Sequence, residues 1–403
     1  MLIAGGGIGG LAAATALARA GHRVRVLERA PAPAEAGAGL QLSPNASRIL
    51  IGWGLGAALS AVAGEPEAAE VRDAQTGRPL LRTPLGPAAR ARWRAPYWQA
   101  HRADLHAALA EAALAAGAEL SWGAEVAEVA PDRAELALTS GERLAADLLV
   151  GADGVRSRVA EALFAREPAR FTGQVAWRAV VSADRLAAGG VENRAIVWTG
   201  PGRHLVTYPL RRGRLVNLVA VVEQAGWTQE SWRAPGDPAE LRAAFAAWPA
   251  EVARLLAEVD ETWRWAIFER PPRPRWSTAS ATLLGDAAHA MAPFLAQGAA
   301  QAIEDAEALA RHLSAASLPD ALAAYAAERQ PRTARIQAAS RRNGTIFHLP
   351  PTVQRLGFGA AGVLDRLRPG GEAARFDWLY GYVPPGLRSA EADARFLDAA
   401  VQK

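Results

Sequence analysis

Hydrophobic and polar positions change their period along the chain, and each period predicts a different kind of element. The first four residues predict a short strand, after which Leu11, Ala14 and Leu17 repeat at helical spacing until Gly21. The following stretch, "HRVRVLER", alternates with a period of two and predicts a second strand that ends at Glu28. The order strand, helix, strand is typical of a βαβ unit.

A period of two returns between residues 170 and 277. The segments "VAWRAVVSAD", "RAIVWTG", "RHLVTYPLRRG" and "RLVNLVAVVE" are successive strand patterns with short turns, which predict an antiparallel sheet. Other segments predict a helix that begins near Arg102, a buried strand that runs into Gly151 and a helix that continues beyond Pro331.

Length and composition narrow the class of protein. The chain has 403 residues, more than the roughly 250 to 300 that usually share one core, so two intertwined domains, or one domain with large insertions, are expected. Its residues are 50% hydrophobic and 21% charged, a balance typical of soluble globular proteins. No apolar run approaches the roughly 20 residues of a membrane span, so no membrane span is predicted.

Charge and cysteine content exclude several kinds of partner. The net charge is only +4 and the arginines are scattered, which argues against a nucleic-acid partner. The absence of cysteine excludes disulfides, thiolate metal sites and a cysteine nucleophile. The seven histidines form no cluster with metal-ligand spacing, so no metal is predicted. A glycine motif that starts at residue 5 leaves no room for a signal peptide, and together these features predict a cytoplasmic protein.

The glycine motif has the chemistry of a dinucleotide site. Gly5, Gly7 and Gly10 form a GxGxxG turn between the first strand and helix, where backbone N–H groups can approach a pyrophosphate without side chains in the way. Glu28, 18 residues after Gly10, is placed to accept the ribose hydroxyls. A second GxGxxG, at residues 357–362, has no strand on either side, and we interpret it as a chance match.

Three segments together resemble the single-component FAD-dependent aromatic hydroxylases, the family of p-hydroxybenzoate hydroxylase. They are the glycine motif with Glu28, "GADGVRSRV" at 151–159 and "LLGDAAHAMAPFLAQGAAQAIEDA" at 283–306. Shorter stretches such as "GPGRHLVTYPL" are similar to the salicylate hydroxylase and 3-hydroxybenzoate 6-hydroxylase branch. The resemblance covers nearly the whole chain.

The resemblance implies an α/β fold, with a Rossmann-like FAD-binding domain, an intertwined antiparallel-sheet substrate domain and a helical C-terminal segment. The expected ranges are 1–72, 98–169 and 278–328 for the FAD-binding domain, 73–97 and 170–277 for the substrate domain, and 329–403 for the C-terminal segment. "DWLYGY" in the last segment is either core or a dimer contact. A homodimer is therefore one predicted assembly.

The resemblance also implies a role for the 283–306 segment. Asp286 would accept a hydrogen bond from the sugar chain of the flavin, and Pro293 would shape a turn across its ring. Gln297 and Gly298 would open a helix whose positive end stabilises the anion formed on flavin reduction. The alternatives are an N-cap for Asp286 and a surface glutamine for Gln297.

Further cofactor contacts carry over from the family to Arg29, Arg102, Val126 and Asp153. Arg29 would flank the adenosine, Arg102 would hold the phosphate side, and Val126 would touch adenine through its backbone. Asp153, with Arg156, belongs to the segment that in the family touches flavin and reduced nicotinamide. Each position has a plain structural alternative, namely a solvated arginine, core packing for Val126 and a helix cap for Asp153.

The strand "RHLVTYPL" supplies the candidate catalytic side chains. A period of two places His204, Val206 and Tyr208 on one face, and a histidine that titrates near neutrality can withdraw a phenolic proton. The alternative is a histidine on the sheet surface beside a half-buried tyrosine. Arg178 and Arg211 are candidates for binding a substrate carboxylate, or are ordinary solvated arginines.

These features favour an NAD(P)H-dependent monooxygenase that hydroxylates a small phenolic or heteroaromatic compound, with a carboxylate on the ring. The resemblance implies that oxygen is transferred from a flavin C4a-hydroperoxide. No second strand-flanked GxGxxG exists, so NADH or NADPH would bind only transiently. The alternatives are a flavin dehydrogenase or oxidase that inserts no oxygen, and a non-catalytic flavin-binding redox sensor.

Overall fold

The computed structural model describes residues 1–33, 38–164, 169–186, 192–226, 234–367 and 370–387. The strands are Leu2–Ala4 (β1), Arg25–Glu28 (β2), Gly39–Leu42 (β3), Ala68–Asp73 (β4), Pro79–Pro84 (β5), Trp98–His101 (β6), Glu119–Trp122 (β7), Val126–Ala130 (β8), Glu135–Leu138 (β9), Arg143–Ala145 (β10), Leu149–Gly151 (β11), Arg170–Ser182 (β12), Arg194–Gly200 (β13), Arg203–Leu210 (β14), Leu215–Glu223 (β15), Ala234–Gly236 (β16), Thr262–Glu269 (β17) and Ala281–Leu283 (β18). The α-helices are Ile8–Arg19 (α1), Pro44–Gly52 (α2), Gly56–Val62 (α3), Pro87–Trp93 (α4), Arg102–Ala115 (α5), Arg158–Leu163 (α6), Pro238–Ala244 (α7), Ala250–Ala257 (α8), Asp286–His289 (α9), Gly298–Leu313 (α10), Leu318–Phe347 (α11), Pro351–Leu367 (α12), Gly371–Ala374 (α13) and Asp377–Tyr380 (α14).

A parallel sheet of five strands forms the first layer, in the order β18-β11-β1-β2-β7. Helix α1 packs against α5 and α10 beside this sheet. Its alanines and leucines are buried on nearly every side, so small residues let the neighbouring helices approach closely. The predicted βαβ unit and the helix at Arg102 are confirmed, and residues 357–362 lie inside helix α12, as expected for a chance GxGxxG match.

An eight-stranded sheet forms the second layer, in the order β16-β17-β12-β15-β14-β13-β4-β5. All neighbours are antiparallel except β13 and β4. One face packs on α7 and α8 through a cluster that includes Trp177 and Trp198. The opposite face turns toward the parallel-sheet layer, where Ala176 and Val221 pack near Ala292 and Phe294. The predicted antiparallel sheet is therefore present, and its second face is available for a site.

Two predicted boundaries fall inside elements. Strand β4, Ala68–Asp73, pairs with β13 and β5 in the large sheet, so the division between residues 72 and 73 cuts a strand that belongs to one layer. Helix α11 runs without interruption through Pro331, so the division at residue 329 cuts a helix. Sequence period alone does not show which sheet a strand joins, because pairing partners are distant in the chain.

A buried network of charges joins the helices behind the first layer. Arg329 of α11 donates to Asp305 over 2.7 Å and to Glu304 over 2.5 Å, and both carboxylates lie on α10. Asp305 also accepts from the Gly285 N–H over 3.0 Å, and Glu304 accepts from Asn45 over 2.6 Å. The network therefore fixes the turn after β18 and the helix α10 relative to each other.

Candidate active site

The turn between β1 and α1 leaves open space in front of a helix N-terminus. A Cβ at Gly5, where φ is +101°, would lie 2.5 Å from the carbonyl oxygen of Ala152, and one at Gly10 would lie 1.8 Å from the carbonyl oxygen of Gly5. A Cβ at Gly7, the residue before the helix, would meet nothing within 4 Å. Two glycines are thus needed for close packing, while the third keeps the space clear where an anion meets free N–H groups.

Glu28 at the end of β2 is anchored to this turn. One carboxylate oxygen accepts from the Gly6 N–H over 2.6 Å and the other accepts from the Ala30 N–H over 2.9 Å. A carboxylate has about four acceptor positions, so capacity remains for further donors such as ribose hydroxyls. The two backbone bonds hold the side chain in one orientation at the mouth of the glycine turn.

Asp286 and the N-terminus of α10 face one another across the segment after β18. The carboxylate of Asp286 has no hydrogen bond from any described residue, and a Cβ at Gly298 would lie 3.9 Å from its Oδ1. Surrounding protein desolvates the carboxylate and raises the pKa of Asp286, although the side chain is open to the cleft. The N-cap of α9 is Gly285, so the alternative of an N-cap role for Asp286 is wrong.

Pro293 begins a short 3₁₀ turn, Pro293–Leu295, that leads into α10. The turn ends at Ala296 in the left-handed conformation, with φ of +53°. Phe294 in this turn packs near the ring of His204, with centroids 5.3 Å apart. The turn therefore lies between the helix N-terminus and the large sheet.

The inner face of the large sheet carries the other candidate side chains. Tyr208 is opposite Asn217 in the register, and Val206 is opposite Val219, which is in turn opposite Arg178. His204 and Tyr208 are four residues apart on one strand, roughly 13 Å, and Arg178 lies two strands away, roughly 10 Å. Val206 and Val219 are only partly buried and form an apolar floor between the three polar side chains.

His204 is enclosed and neutral. It is 1% exposed, its Nδ1 lies 2.7 Å from Nε2 of His348, and the ring of Phe347 lies 5.3 Å away. Burial, followed by the nearby His348, holds the pKa of His204 well below its usual range. The alternative of a surface histidine is therefore wrong, and so is the expectation that His204 titrates near neutrality, because desolvation disfavours its charged form.

The two candidate arginines differ in their partners. Arg211 forms a salt bridge with Asp104 through contacts of 2.8 and 3.1 Å. Arg178 lies over the ring of Trp265 at 4.5 Å, and no described residue accepts a hydrogen bond from its guanidinium. Burial lowers the pKa of Arg178 to about 10, and the nearby Tyr208 opposes this effect. Arg178 is therefore a half-buried cation on the site face, and no carboxylate of the described residues pairs with it.

A sequence model described as the FAD binding domain matches residues 1–340. The chain belongs to this family. It is 41% identical over 393 residues to a 3-amino-4-hydroxybenzoate 2-monooxygenase of Streptomyces platensis, covering 96% of this chain and 97% of the relative. It is 38% identical over 397 residues to a 3-hydroxybenzoate 6-hydroxylase of Polaromonas naphthalenivorans, covering 95% and 96%.

A solved structure has the same fold. The HpxO protein of Klebsiella pneumoniae, complexed with FAD and uric acid, superposes with a TM-score of 0.79 at 25% identity, covering 94% of this chain and 95% of that one. The predicted family, the α/β fold and the FAD cofactor are confirmed. The protein is an FAD-dependent aromatic monooxygenase.

The side chain of Gln297 lies in a different environment from the one that the sequence predicted. Its side chain is 1% exposed and hydrogen-bonds Ser43 over 2.9 Å, Asn45 over 3.2 Å and Gln301 over 3.2 Å. It is therefore not a surface glutamine, and its amide points into the structural network rather than toward a reacting group. Only the backbone of Gln297 is therefore left for the predicted role, since it begins α10 next to Gly298.

Of the four other predicted cofactor contacts, two are exposed arginines and two hydrogen-bond within the protein. Arg29 and Arg102 are exposed, with Arg102 as the first residue of α5. The carbonyl of Val126 accepts from Arg158 over 2.8 Å. Asp153 accepts from the N–H groups of Arg158 and Val159, so its carboxylate caps α6, as the structural alternative expected. Arg156 beside it is exposed.

Sequence reasoning missed two residues next to the site, His348 and Asn217. The imidazole of His348 reaches His204 from the end of α11, and Asn217 accepts from the Gly39 N–H over 2.7 Å. Gly39 itself is required there, because a Cβ would lie 2.6 Å from the ring of Tyr208. The partners of these residues are more than 100 positions away in the chain, so no local pattern indicated them.

Two further features concern metals and membranes. No group of three histidine or acidic side chains in the described ranges could hold a metal ion. None of the helices that the structure describes combines the length and the apolar character that crossing a membrane requires. In "DWLYGY", Leu379 and Tyr380 are buried and the Tyr380 ring packs on Trp93 at 5.0 Å, whereas Asp377 and Gly381 are exposed.

Proposed function

We propose that the sheet face with Arg178, His204 and Tyr208 binds a carboxylated phenol, and that the enzyme hydroxylates its ring. The observation that carries this proposal is the pairing state of Arg178, a half-buried arginine whose Nε is buried and which has no anionic partner among the described residues. A buried cation is stabilised by a partner anion, and guanidinium and carboxylate match in geometry. The relatives act on aminohydroxybenzoate and hydroxybenzoate by name, which is the same chemical class.

The residues around the glycine turn fit FAD. The space before α1 at Gly7 suits the pyrophosphate, and Glu28 has acceptor capacity for ribose hydroxyls. Asp286 has a carboxylate that no described residue hydrogen-bonds and that can bind the sugar chain, and the N–H groups at Gly298 open α10 toward the ring system. Bound at these residues, FAD would supply an acceptor for the hydride of NADH or NADPH and the means to activate O₂ for transfer to the substrate.

The protein's own groups position and activate the phenol. The lone pair of His204 accepts the phenolic proton, which makes the ring more electron-rich. The hydroxyl of Tyr208 has no hydrogen-bond partner among the described residues, and burial raises its pKa, so it serves as a neutral donor to the substrate. Val206 and Val219 support the aromatic ring and keep water away from it.

The test is a panel of hydroxybenzoates and aminohydroxybenzoates with the purified holoenzyme under ¹⁸O₂. A substrate should stimulate NADH or NADPH oxidation and give a product that is one labelled oxygen atom heavier. The same panel shows which nicotinamide is used. A product two hydrogens lighter without label would instead favour the dehydrogenase alternative, and stimulation by no compound would favour the sensor alternative.

A second experiment tests the base. His204→Ala should lower the rate of hydroxylation by about 10² to 10⁴-fold, the usual contribution of general base catalysis. FAD content should stay unchanged, because His204 lies on the sheet and not at the glycine turn. Normal hydroxylation in this variant would mean that the phenolic proton leaves by another group.

The assembly and location stay predictions. A homodimer would be recognised by light scattering of the holoenzyme at twice the chain mass. The cytoplasmic location would be tested by fractionation, and it agrees with a reaction that consumes a nicotinamide reductant.

A further inference from the structure

The ring of His204 is joined to the protein surface by two hydrogen bonds in series. Its Nδ1 lies 2.7 Å from Nε2 of His348, and Nδ1 of His348 lies 2.7 Å from Oε1 of Glu223. Exposure rises along the series, since His204 is 1% exposed, the side chain of His348 4% and that of Glu223 56%. The series therefore leads from the inner face of the sheet to water.

The carboxylate at the outer end sets the direction of both bonds. A carboxylate only accepts, so Nδ1–H of His348 donates to Glu223, and Nε2 of His348 is left as an acceptor. Nδ1–H of His204 then donates to that nitrogen. These tautomers are assigned from the hydrogen-bond network. The lone pair of His204 is consequently on Nε2, which no described residue hydrogen-bonds.

We propose that His348 and Glu223 form a relay that carries the phenolic proton from His204 to solvent. The proposal rests on the role of His204 as the base. The O–H bond of the phenol breaks and its proton bonds to Nε2 of His204, while the Nδ1 proton of His204 passes to Nε2 of His348. The Nδ1 proton of His348 passes to Glu223 and from there to water. One proton enters and one leaves, so both imidazoles end neutral and the phenolate remains.

The burial of His204 and His348 explains why the proton cannot stay on either imidazole. Burial, followed by the nearby His348, holds the pKa of His204 well below its usual range, and burial also lowers the pKa of His348. An imidazolium at either position is therefore unfavourable, whereas a concerted shift leaves none. The other groups facing the relay are Arg203, which lowers the pKa of His348, and Gln174, whose amide lies 3.4 Å from His348 Nδ1. Neither can take up a proton at neutral pH.

The relay is tested on the oxidised holoenzyme, without nicotinamide. Mixing with 3-amino-4-hydroxybenzoate in weak buffer with a pH indicator follows proton release, and the phenolate absorbance follows deprotonation. His348→Gln keeps a hydrogen-bonding side chain but cannot pass a proton, and it should slow release by about tenfold or more, with unchanged FAD content. In His348→Gly, added imidazole should restore the rate. Glu223→Gln should slow release less, because water reaches this position.

A packing control separates the relay from simple support of His204. Phe347→Leu changes the ring that lies against His204 but removes no proton carrier, so it should release protons close to the wild-type rate. Equal slowing in Phe347→Leu and His348→Gln, or wild-type release in His348→Gln, would overturn the relay. If His204→Ala itself forms the phenolate at the wild-type rate, the proposed base fails. If His204→Ala forms none while His348→Gln is normal, only the relay fails.

Discussion

Two buried polar regions of the molecule differ in how completely their charges are paired. In the network behind the parallel sheet, Arg329 meets Glu304 and Asp305, and all three side chains are 0% exposed. On the inner face of the large sheet, Arg178 pairs with no anion in the part of the chain that the structure describes, and His204 is held neutral. A fully paired network holds its elements in one arrangement and is costly to break, whereas an unpaired cation beside an apolar floor is suited to bind an anion from outside.

The largest expected effect breaks the paired region. Arg329→Met should lower the free energy of unfolding by about 3 to 5 kcal/mol, because the buried carboxylate of Asp305 loses its arginine partner, while Glu304 keeps Arg332 at 2.6 Å. Urea unfolding followed by circular dichroism measures it. Arg341→Met on the same helix is the matched control, since Arg341 contacts Glu269 at 3.7 Å near the surface and should cost less than about 1 kcal/mol. Equal losses of stability in both variants would show that breaking the buried network costs no more than breaking a surface ion pair.

Glu28 is intermediate between the two regions in how far it is paired, because two of its acceptor positions are used by the protein. Glu28→Ala should weaken FAD binding by about 1 to 3 kcal/mol, the cost of leaving buried hydroxyls without an acceptor. Titration of the apoprotein with FAD measures this change. The fold should survive, so the far-ultraviolet circular dichroism spectrum is the control. Unchanged affinity would mean that Glu28 only anchors Gly6 and Ala30.

Acid should affect the two regions over different pH ranges. The pKa of His204 is lowered in the folded protein, so the unfolded chain binds the additional proton first, and stability falls as the pH drops below about 6.5. His348 adds in the same direction. The pKa of Asp305 is lowered to about 2, so its contribution is lost only as the pH falls from about 4 toward 2.

The urea midpoint at pH 7 and pH 5.5 distinguishes these contributions. Wild type should lose stability over this interval, and His204→Gln should lose less of it, because glutamine does not titrate. If both proteins lost the same amount of stability, the acid sensitivity would come from other groups, and His348 would be the first candidate.

The smallest expected effect concerns Tyr208. Tyr208→Phe removes one hydroxyl, so substrate affinity should fall by about 1 kcal/mol, while the pH profile of hydroxylation stays as in wild type. Comparison with His204→Ala separates a positioning hydrogen bond from a base. A loss as large as that of His204→Ala would give Tyr208 a direct part in proton transfer.

The contrast between the regions also shows what sequence could predict. The βαβ unit with its GxGxxG turn, the strand that ends at Glu28 and the strand that carries His204 and Tyr208 follow from local periods and spacing, and these elements were predicted correctly. The pairing state of Arg178 and Arg211 could not be predicted from sequence. It depends on Trp265 for Arg178 and on Asp104 for Arg211, and both are distant in the chain.

Gln297 and His348 show the same limit. Nothing in the residues around Gln297 indicates that its amide turns into the network at Ser43 and Asn45. The contact between His348 and His204 joins positions 144 residues apart. Burial and partner identity are tertiary properties, and they decide which of several plausible side chains is left unpaired for a ligand.

The central claim is that Arg178 binds the carboxylate of the substrate, and a binding cycle tests it most directly. The affinities of 3-amino-4-hydroxybenzoate and of 2-aminophenol, which lacks the carboxylate, are measured from the flavin absorbance change with wild type, Arg178→Met and the paired control Arg211→Met. In wild type and Arg211→Met, loss of the carboxylate should weaken binding by about tenfold to a hundredfold, as for a charged hydrogen bond. In Arg178→Met the two ligands should bind with nearly equal affinity. A carboxylate preference that persists unchanged in Arg178→Met would contradict the account.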